Sequence, residues 1–381
     1  MIALWFVLAL AVALAFLSLR GDGVKARFWG SAQPAPGGPW VGASSPVTLI
    51  VPVKGPDEGL RENLAALAAQ EYPDFELIVC ARAASDVPAN VLPPAARLVI
   101  TTVALAHTSE KIENMLAAVD AARPESTVLA FADSDARPLS HWLRSLVAVA
   151  VQPGTGVSTG YRWYIPAAGG FWSHVRAAWN SVIAGGYGPG QNQFCWGGAM
   201  AIRRELFESL AVRRAWTGQV SDDYILSELV RQAGLRIAFA PGALTPARDH
   251  TAMGEFLGWS ARQLLLTRIY RPGLWRLACF AHVVYCGAML GAVVLAFSGQ
   301  RWALAALALQ LAIGMTKAAR RCVWATKALH EPAGSPWLHA ALSPLVTWVW
   351  LYAIGASAAG NILQWRGVRY RLSRKGCERL G

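Results

Sequence analysis

The sequence predicts an α/β domain with a mainly parallel sheet, carried on membrane-spanning helices at both of its ends. Three observations predict it. Strand-like and helix-like patterns alternate between residues 47 and 132 with the spacing of βαβ units. Uncharged apolar runs open the chain and fill much of its last third. The apolar run Val128 to Ala132 stops abruptly at Asp133-Ser-Asp135, with Pro138 beyond, so two carboxylates sit at a strand's carboxyl end, the edge where open α/β sheets bind ligands.

Of the 381 residues, 54% are hydrophobic, 15% are charged and 17 are tryptophan, too apolar a mixture for an ordinary soluble enzyme. The formal net charge of +12 does not point to nucleic acid, because the basic residues gather beside apolar runs. An anionic leaflet and an anionic donor substrate are the partners that suit them. Six cysteines, Cys80, Cys195, Cys279, Cys286, Cys322 and Cys377, make no C-x-x-C pair and read as reduced packing residues.

Taken in order, Ile2 to Leu19 carries no charge and is followed by Arg20, Lys25 and Arg27. Residues 1–20 therefore read as an anchor with its N-terminus outside and its basic flank in the cytoplasm. A cleaved signal peptide is disfavoured, since no positive charge precedes the run and no small-x-small site follows it. Residues 21–45 read as a linker, richest in Gly, Pro and Ser from Ser31 to Pro46. The α/β domain spans 46–272. Val47 to Val53 is a buried strand and Lys54 to Gly59 a turn; Leu60 to Gln70 is a helix with Leu60, Leu64, Leu67 and Ala68 on one face. Phe75 to Cys80 and Arg97 to Thr102 are further strands, and the helix Lys111 to Ala122 leads into Val128 to Ala132. His174 to Ile183 carries aromatic and aliphatic residues at helical spacing with few charges, and reads as an interfacial helix or equally as a core helix. Asp222 opens an amphipathic helix that ends near Gly234.

Residues 273–365 read as membrane helices and 366–381 as a basic tail. Leu277 to Phe297 spans. Trp302 to Met315 is shorter and ends at Lys317, Arg320 and Arg321, which returns it to the cytosol. Leu338 to Leu363 is interrupted by Pro344 and Gly355. A third full crossing here would place Arg366, Arg369, Arg371, Arg374, Lys375 and Arg379 outside, against the positive-inside tendency. Either this run re-enters without crossing or the tail breaks the rule; the expectation is a cytosolic tail.

Several residues carry chemistry. Asp133 and Asp135 can share one divalent cation, which in turn holds a diphosphate, although an isolated D-x-D reads as readily as a solvated loop. Lys111 and Asn114, three apart, share one helix face. In Trp196-Gly197-Gly198 the glycines admit close approach of a substrate to the backbone, and the tryptophan can stack on a sugar. Asp222 and Asp223 sit at a helix N-terminus, where the dipole favours carboxylates, and capping accounts for one of the two.

Together, Val51-Pro-Val-Lys54, Lys111-Ile-Glu-Asn114, Asp133-Ser-Asp135, Trp196-Gly-Gly-Ala-Met200, Ser221-Asp-Asp-Tyr224 and Trp365-Arg-Gly-Val-Arg-Tyr-Arg-Leu372 resemble the family 2 and family 21 glycosyltransferases. The resemblance is greatest to the ceramide glucosyltransferase group and its bacterial relatives of hopanoid pathways. It implies a GT-A fold and an inverting transfer of a hexose, glucose in that group, from a UDP-sugar to a hydroxyl of a membrane lipid such as ceramide. It also implies Mn2+ or Mg2+ as cofactor and a multi-pass protein of the bacterial inner membrane with its catalytic domain facing the cytoplasm. Carried over residue by residue, Asp135 with Asp133 holds the metal, Asp133 alternatively touching the ribose. Asp223, the second acid of its pair, is the catalytic base, and Asp222 its cap or support. Lys54, Lys111 and Asn114 belong to the donor side; Trp196, Gly197, Gly198 and Asp222 to the acceptor side.

Two departures stand out. The aspartate that reads uridine in many members is missing after Cys80, where the first one available is Asp86. The Q/R-x-x-R-W motif is represented by Arg262-Gln-Leu-Leu-Leu-Thr-Arg268, which keeps Arg262 and leaves Arg268 to supply a donor-side cation from the next turn. The alternatives are transfer to polyprenyl phosphate or a polysaccharide chain, and a non-catalytic nucleotide-sugar-binding membrane protein.

Overall fold

A computed structural model describes residues 1–31, 45–55, 59–102, 104–105, 107–166, 169–190 and 193–380. Its helices in chain order are α1 (Ile2–Leu17), α2 (Asp22–Ser31), α3 (Leu60–Ala68), α4 (Glu110–Ala121), α5 (Trp142–Ala150), α6 (Phe171–Ala184), α7 (Arg204–Ser209), α8 (Val212–Trp216), α9 (Asp222–Gln232), α10 (Met253–Tyr270), α11 (Pro272–Phe297), α12 (Trp302–Leu329) and α13 (Pro336–Ala358). The strands are β1 (Val47–Pro52), β2 (Phe75–Ala81), β3 (Ala96–Ile100), β4 (Val128–Ala132), β5 (Thr155–Tyr164), β6 (Ala199–Arg203), β7 (Arg236–Ala247), β8 (Ile362–Trp365), β9 (Val368–Ser373) and β10 (Gly376–Arg379). The chain divides into two compact units. One, the membrane unit, holds Met1–Trp29, Trp163–Gly186 and Arg248–Asn361; the other, the sheet unit, holds Gly30–Arg162, Tyr187–Ala247 and Ile362–Gly381.

In the sheet unit seven strands lie in the order β3-β2-β1-β4-β6-β5-β7. β3, β2, β1 and β4 run parallel, whereas β6 is antiparallel to both β4 and β5. β1 and β4 are buried along their whole length, which is what central strands covered on both faces require of an unbroken apolar run. Alternate residues serve opposite faces. Leu49, Val51, Leu77 and Val79 pack on α3 and α5, while Ile50, Ile78 and Phe131 pack on α4 and α9. Chain direction diverges between β1 and β4, and Asp133 and Asp135 follow β4 at that switch point.

The carboxyl-terminal residues, expected as a basic tail, fold as an antiparallel meander of β8, β9 and β10 within the sheet unit. Arg366 and Gly367 both have positive φ, 49° and 79°, the backbone a tight two-residue hairpin requires. Val368, Tyr370 and Leu372 of β9 are buried and the intervening arginines exposed. The Cys377 N–H donates to the Gly218 carbonyl at 2.8 Å, tying the meander to the rest of the unit.

In the membrane unit, four helices are long and apolar enough to cross a bilayer: the stretch Ile2–Gly30, α11, α12 and α13. α1 packs on α11 through small residues, with Leu8 and Ala11 against Ala288 and Ala292. α2 occupies residues that were expected as linker; the remainder of that linker, 32–44, lies outside the described residues, as do 56–58 of the expected turn. α6, expected as interfacial, is mostly buried, and its Trp179 stacks on Trp350 at 4.5 Å. Positive charge does not end α12 at Met315 as expected. Lys317, Arg320 and Arg321 are good helix formers, and the helix continues for 28 residues to Leu329.

α11 and α12 form an antiparallel hairpin turning at 298–301, with Gln310 Nε2 donating to the Tyr285 carbonyl at 3.3 Å. α13 begins beside the far end of α12, where Cys322 Sγ lies 3.8 Å from the Ala333 carbonyl. Mid-helix it meets α11 at Cys286, 3.8 Å from the Thr347 carbonyl. It then follows α11 back, His282 stacking on Trp350 at 5.1 Å and Trp275 Nε1 donating to Ser357 Oγ at 2.9 Å. Both ends of α13 therefore lie at the end of the hairpin remote from the 298–301 turn. Pro344 sits inside the helix, where its missing N–H and its ring permit a bend.

Candidate active site

The site is assembled at the carboxyl ends of β1 and β4 from three loops and two helix N-termini, all in the sheet unit. After β4 the chain turns sharply, with the Ala136 N–H donating to the Asp133 carbonyl at 3.1 Å. Asn63 of α3, 4% exposed, fastens that turn by donating to the Ser134 carbonyl and accepting from Arg137 Nε, both at 3.1 Å. Asp133 and Asp135 are thus presented on a fixed loop.

Lys111 enters from the first turn of α4, a helix capped by Ser109, whose Oγ accepts from the Ile112 N–H. Its ammonium bridges two acids, at 3.0 Å from Asp133 Oδ1 and 3.3 Å from Asp222 Oδ1. Burial works against that charge, but Asp133, Asp222 and Asp223 outweigh it and hold the lysine pKa above its usual value.

α9 is capped by Ser221, whose Oγ accepts from the Tyr224 N–H at 3.3 Å. Asp222 is therefore not the cap. It is 3% exposed, and burial, opposed by Lys111 and assisted by Asp223 and Asp133, pushes its pKa up to about 6. Its Oδ2 has no hydrogen-bond partner among the described residues. Asp223 is only partly buried. Its Oδ1 accepts from Tyr224 N–H at 2.7 Å and from the Ser221 hydroxyl, and its Oδ2 from the Gly197 N–H at 3.3 Å.

Trp196-Gly197-Gly198 closes the ring. A Cβ on Gly197 would lie 2.6 Å from Asp222 Oδ2, and one on Gly198 2.6 Å from Asp133 Oδ2 and 2.3 Å from the Trp196 ring. The glycines are demanded by carboxylates crowding the backbone: the close approach seen here is made by the site's own acids. Asp133, Asp135, Lys111, Asp222, Asp223 and the two glycines form one cluster drawn from four separate stretches of chain.

Two arginines complete it: Arg162, which the sequence reading missed, and Arg366, which belongs to the motif from Trp365 to Leu372. Arg162, on β5, grips Asp135 with both ends of its guanidinium, Nη1 to Oδ2 at 2.7 Å, lies 3.5 Å from Asp133 and rests 5.2 Å over the Trp196 ring. Arg366, in the β8–β9 turn, donates to the Lys54 carbonyl at 3.4 Å. Burial would raise the Asp135 pKa, but Arg162, followed by Arg366 and Lys111, lowers it. The one local signal for Arg162 is that it is the only residue of β5 not fully buried.

The remaining expected residues stand elsewhere. Lys54 Nζ pairs with Glu110 at 2.7 Å rather than with the acids. Asn114 is 1% exposed, and its Oδ1 has no hydrogen-bond partner among the described residues. Asp86 caps its own short turn, accepting from the Ala83 N–H at 3.1 Å. Arg262 and Arg268 belong to α10 in the membrane unit, where Arg268 binds the Gly360 carbonyl and, at 2.7 Å, Asn361 Oδ1. Just after β2, Arg82 pairs with the buried Glu113.

The donor set suits a hard divalent ion: two carboxylates at a strand end, beside a glycine whose missing Cβ makes room for Asp133 Oδ2. Among the described residues no group of three or more His, Cys, Asp or Glu could hold a metal, so further ligands would have to come from the substrate and water.

Residues 3–377 match the sequence family described as glycosyl transferase family 21. The chain belongs to that family. No curated protein matches it. Among solved structures the family-21 chain is similar to a mannosyltransferase from Pyrobaculum calidifontis in complex with GDP-Man and Mn2+, at 18% identity and a TM-score of 0.52, covering 90% of this chain and 99% of that one. It is also similar to a glucosyl-3-phosphoglycerate synthase from Mycobacterium tuberculosis in complex with Mn2+, UDP and glucosyl-3-phosphoglycerate, at 16% identity and a TM-score of 0.36, covering 55% of this chain and 72% of that one. The sheet unit has the GT-A fold.

Proposed function

We propose that this family-21 chain transfers a hexose, with inversion, from a UDP-sugar to a hydroxyl of a membrane lipid of the ceramide class. One observation carries the reading: Lys111 holds Asp133 and Asp222 on a single ammonium, while Gly197 and Gly198 link Asp223 and Asp133 through adjacent residues. One diphosphate sugar can span such a cluster. Four helices able to cross a bilayer support a lipid acceptor.

In the transfer the acceptor oxygen attacks the anomeric carbon, the bond from that carbon to the UDP oxygen breaks, and its electron pair leaves with UDP. The acceptor proton passes to Asp223, the partly exposed acid, whose orientation is fixed by the Gly197 N–H. Asp222, buried and ion-paired, positions Lys111. Asp133 and Asp135 would hold Mn2+ or Mg2+, which when bound neutralises charge on the departing diphosphate. Arg162, which pairs with both carboxylates, would then be available to bind the phosphates of the donor.

The test is purified protein in lipid, given a panel of UDP- and GDP-sugars and of acceptor lipids, with and without divalent cations. UDP release that requires both a sphingoid-type lipid and the cation supports the reading; release that follows polyprenyl phosphate instead overturns the acceptor assignment.

A further inference from the structure

The membrane unit contains a polar cavity of about 110 Å³ built from none of the residues of the transfer site, lined among others by Ser18, Gln310, Lys317, Arg321, Ser343 and Thr347. Gln310, Lys317 and Arg321 are spaced seven and four residues apart on α12, so they stack along one face of that helix. Charged and amide side chains within an apolar bundle are costly unless something binds them.

Two observations indicate what is missing. Gln310 is 4% exposed, and although its Nε2 donates to the Tyr285 carbonyl, its Oε1 is buried with no hydrogen-bond partner among the described residues. It is an acceptor awaiting a donor. The charge is also lopsided. Lys25, Lys317, Arg320 and Arg321 gather about one carboxylate, Asp22, which reaches Arg320 at 3.8 Å, and Lys25 turns to the Gly185 carbonyl at 2.6 Å. Pro344, on the cavity wall, has no N–H to donate within its helix.

We infer that this cavity binds an anionic phospholipid: its phosphate lies on Lys317 and Arg321, and a hydroxyl of the same lipid donates to Gln310 Oε1. The ligand satisfies the excess cations and the orphaned acceptor together, and it does so through residues independent of the sugar transfer.

The experiment measures phospholipid retained by the full-length protein after exchange into phosphatidylcholine discs doped with phosphatidylglycerol. The expected outcome is specific retention of phosphatidylglycerol, weakened about fivefold by Lys317→Gln and further by Lys317→Gln with Arg321→Gln. Lys317→Arg restores it, and Lys327→Gln, at an exposed lysine of the same helix, leaves it unchanged. Gln310→Leu, which removes the orphaned acceptor without changing charge, lowers retention while raising thermal stability in undoped discs. Inorganic phosphate is the competing probe: failure to displace the lipid identifies a lipid phosphate, and displacement at equal concentration overturns the lipid in favour of free phosphate. Equal retention by wild type and the double variant, or an equal loss in Lys327→Gln, overturns the site.

Discussion

At the scale of single residues, two neighbouring acids of α9 divide two tasks by their surroundings. Asp223 faces outward and is held by three donors; Asp222 faces inward onto Lys111. Replacing Asp223 by Asn should lower turnover by about 10²- to 10⁴-fold while UDP affinity, read by calorimetry, stays nearly unchanged. Full activity in that variant would remove the base assignment. Asp222 has the opposite signature. Its folded pKa of about 6 stands above the ordinary 3.8, so the folded state binds the proton more tightly than the unfolded one. The stability this contributes is full below the unfolded pKa and is lost as pH rises through the folded one. Asp222→Asn should therefore raise the thermal midpoint at pH 7 to 8, by an amount on the order of 2 kcal/mol, and leave it unchanged near pH 4. A midpoint gain that is the same at both pH values would show that burial is not the cause.

At the scale of elements, helix N-termini deliver the chemistry. Ser109 and Ser221 cap α4 and α9, and the residues just beyond each cap are the ones that meet at the cluster. Ser221→Ala should cost about 1 kcal/mol in stability, seen as a lower denaturation midpoint. It should also lower turnover more than that loss explains, because the same hydroxyl binds Asp223. Much of this was legible in sequence. The run that became β4 is apolar without interruption, those of β1 and β2 are broken only by Thr48 and Glu76, and the carboxylates stand where β4 stops. Arg162 was not legible, because a lone arginine in a strand acquires meaning only when β5 is threaded beside β6, and that pairing links residues about forty positions apart. Arg366 was legible as part of the motif from Trp365 to Leu372, but not its contact with Lys54, which needs the hairpin geometry that a stretch read as a tail does not declare. The end of α12 was misread because hydropathy falls at Lys317 while helix propensity does not.

At the scale of the whole molecule, the decisive element is α13, whose two ends lie at the same end of the α11–α12 hairpin. If α13 re-enters without crossing, the chain after Asn361 returns to the side from which α11 set out. An impermeant maleimide should then label Lys375→Cys and Gln300→Cys from opposite faces of sealed vesicles, each compared with the unsubstituted chain. Labelling of both from one face would mean that α13 crosses.

On the proposed lipid transfer, a re-entrant α13 would decide where the product stays. With the sheet unit and the nucleotide-sugar in one compartment, the glycosylated lipid would be released into the same monolayer that furnished its acceptor, and its appearance in the opposite monolayer would call for a separate translocation step.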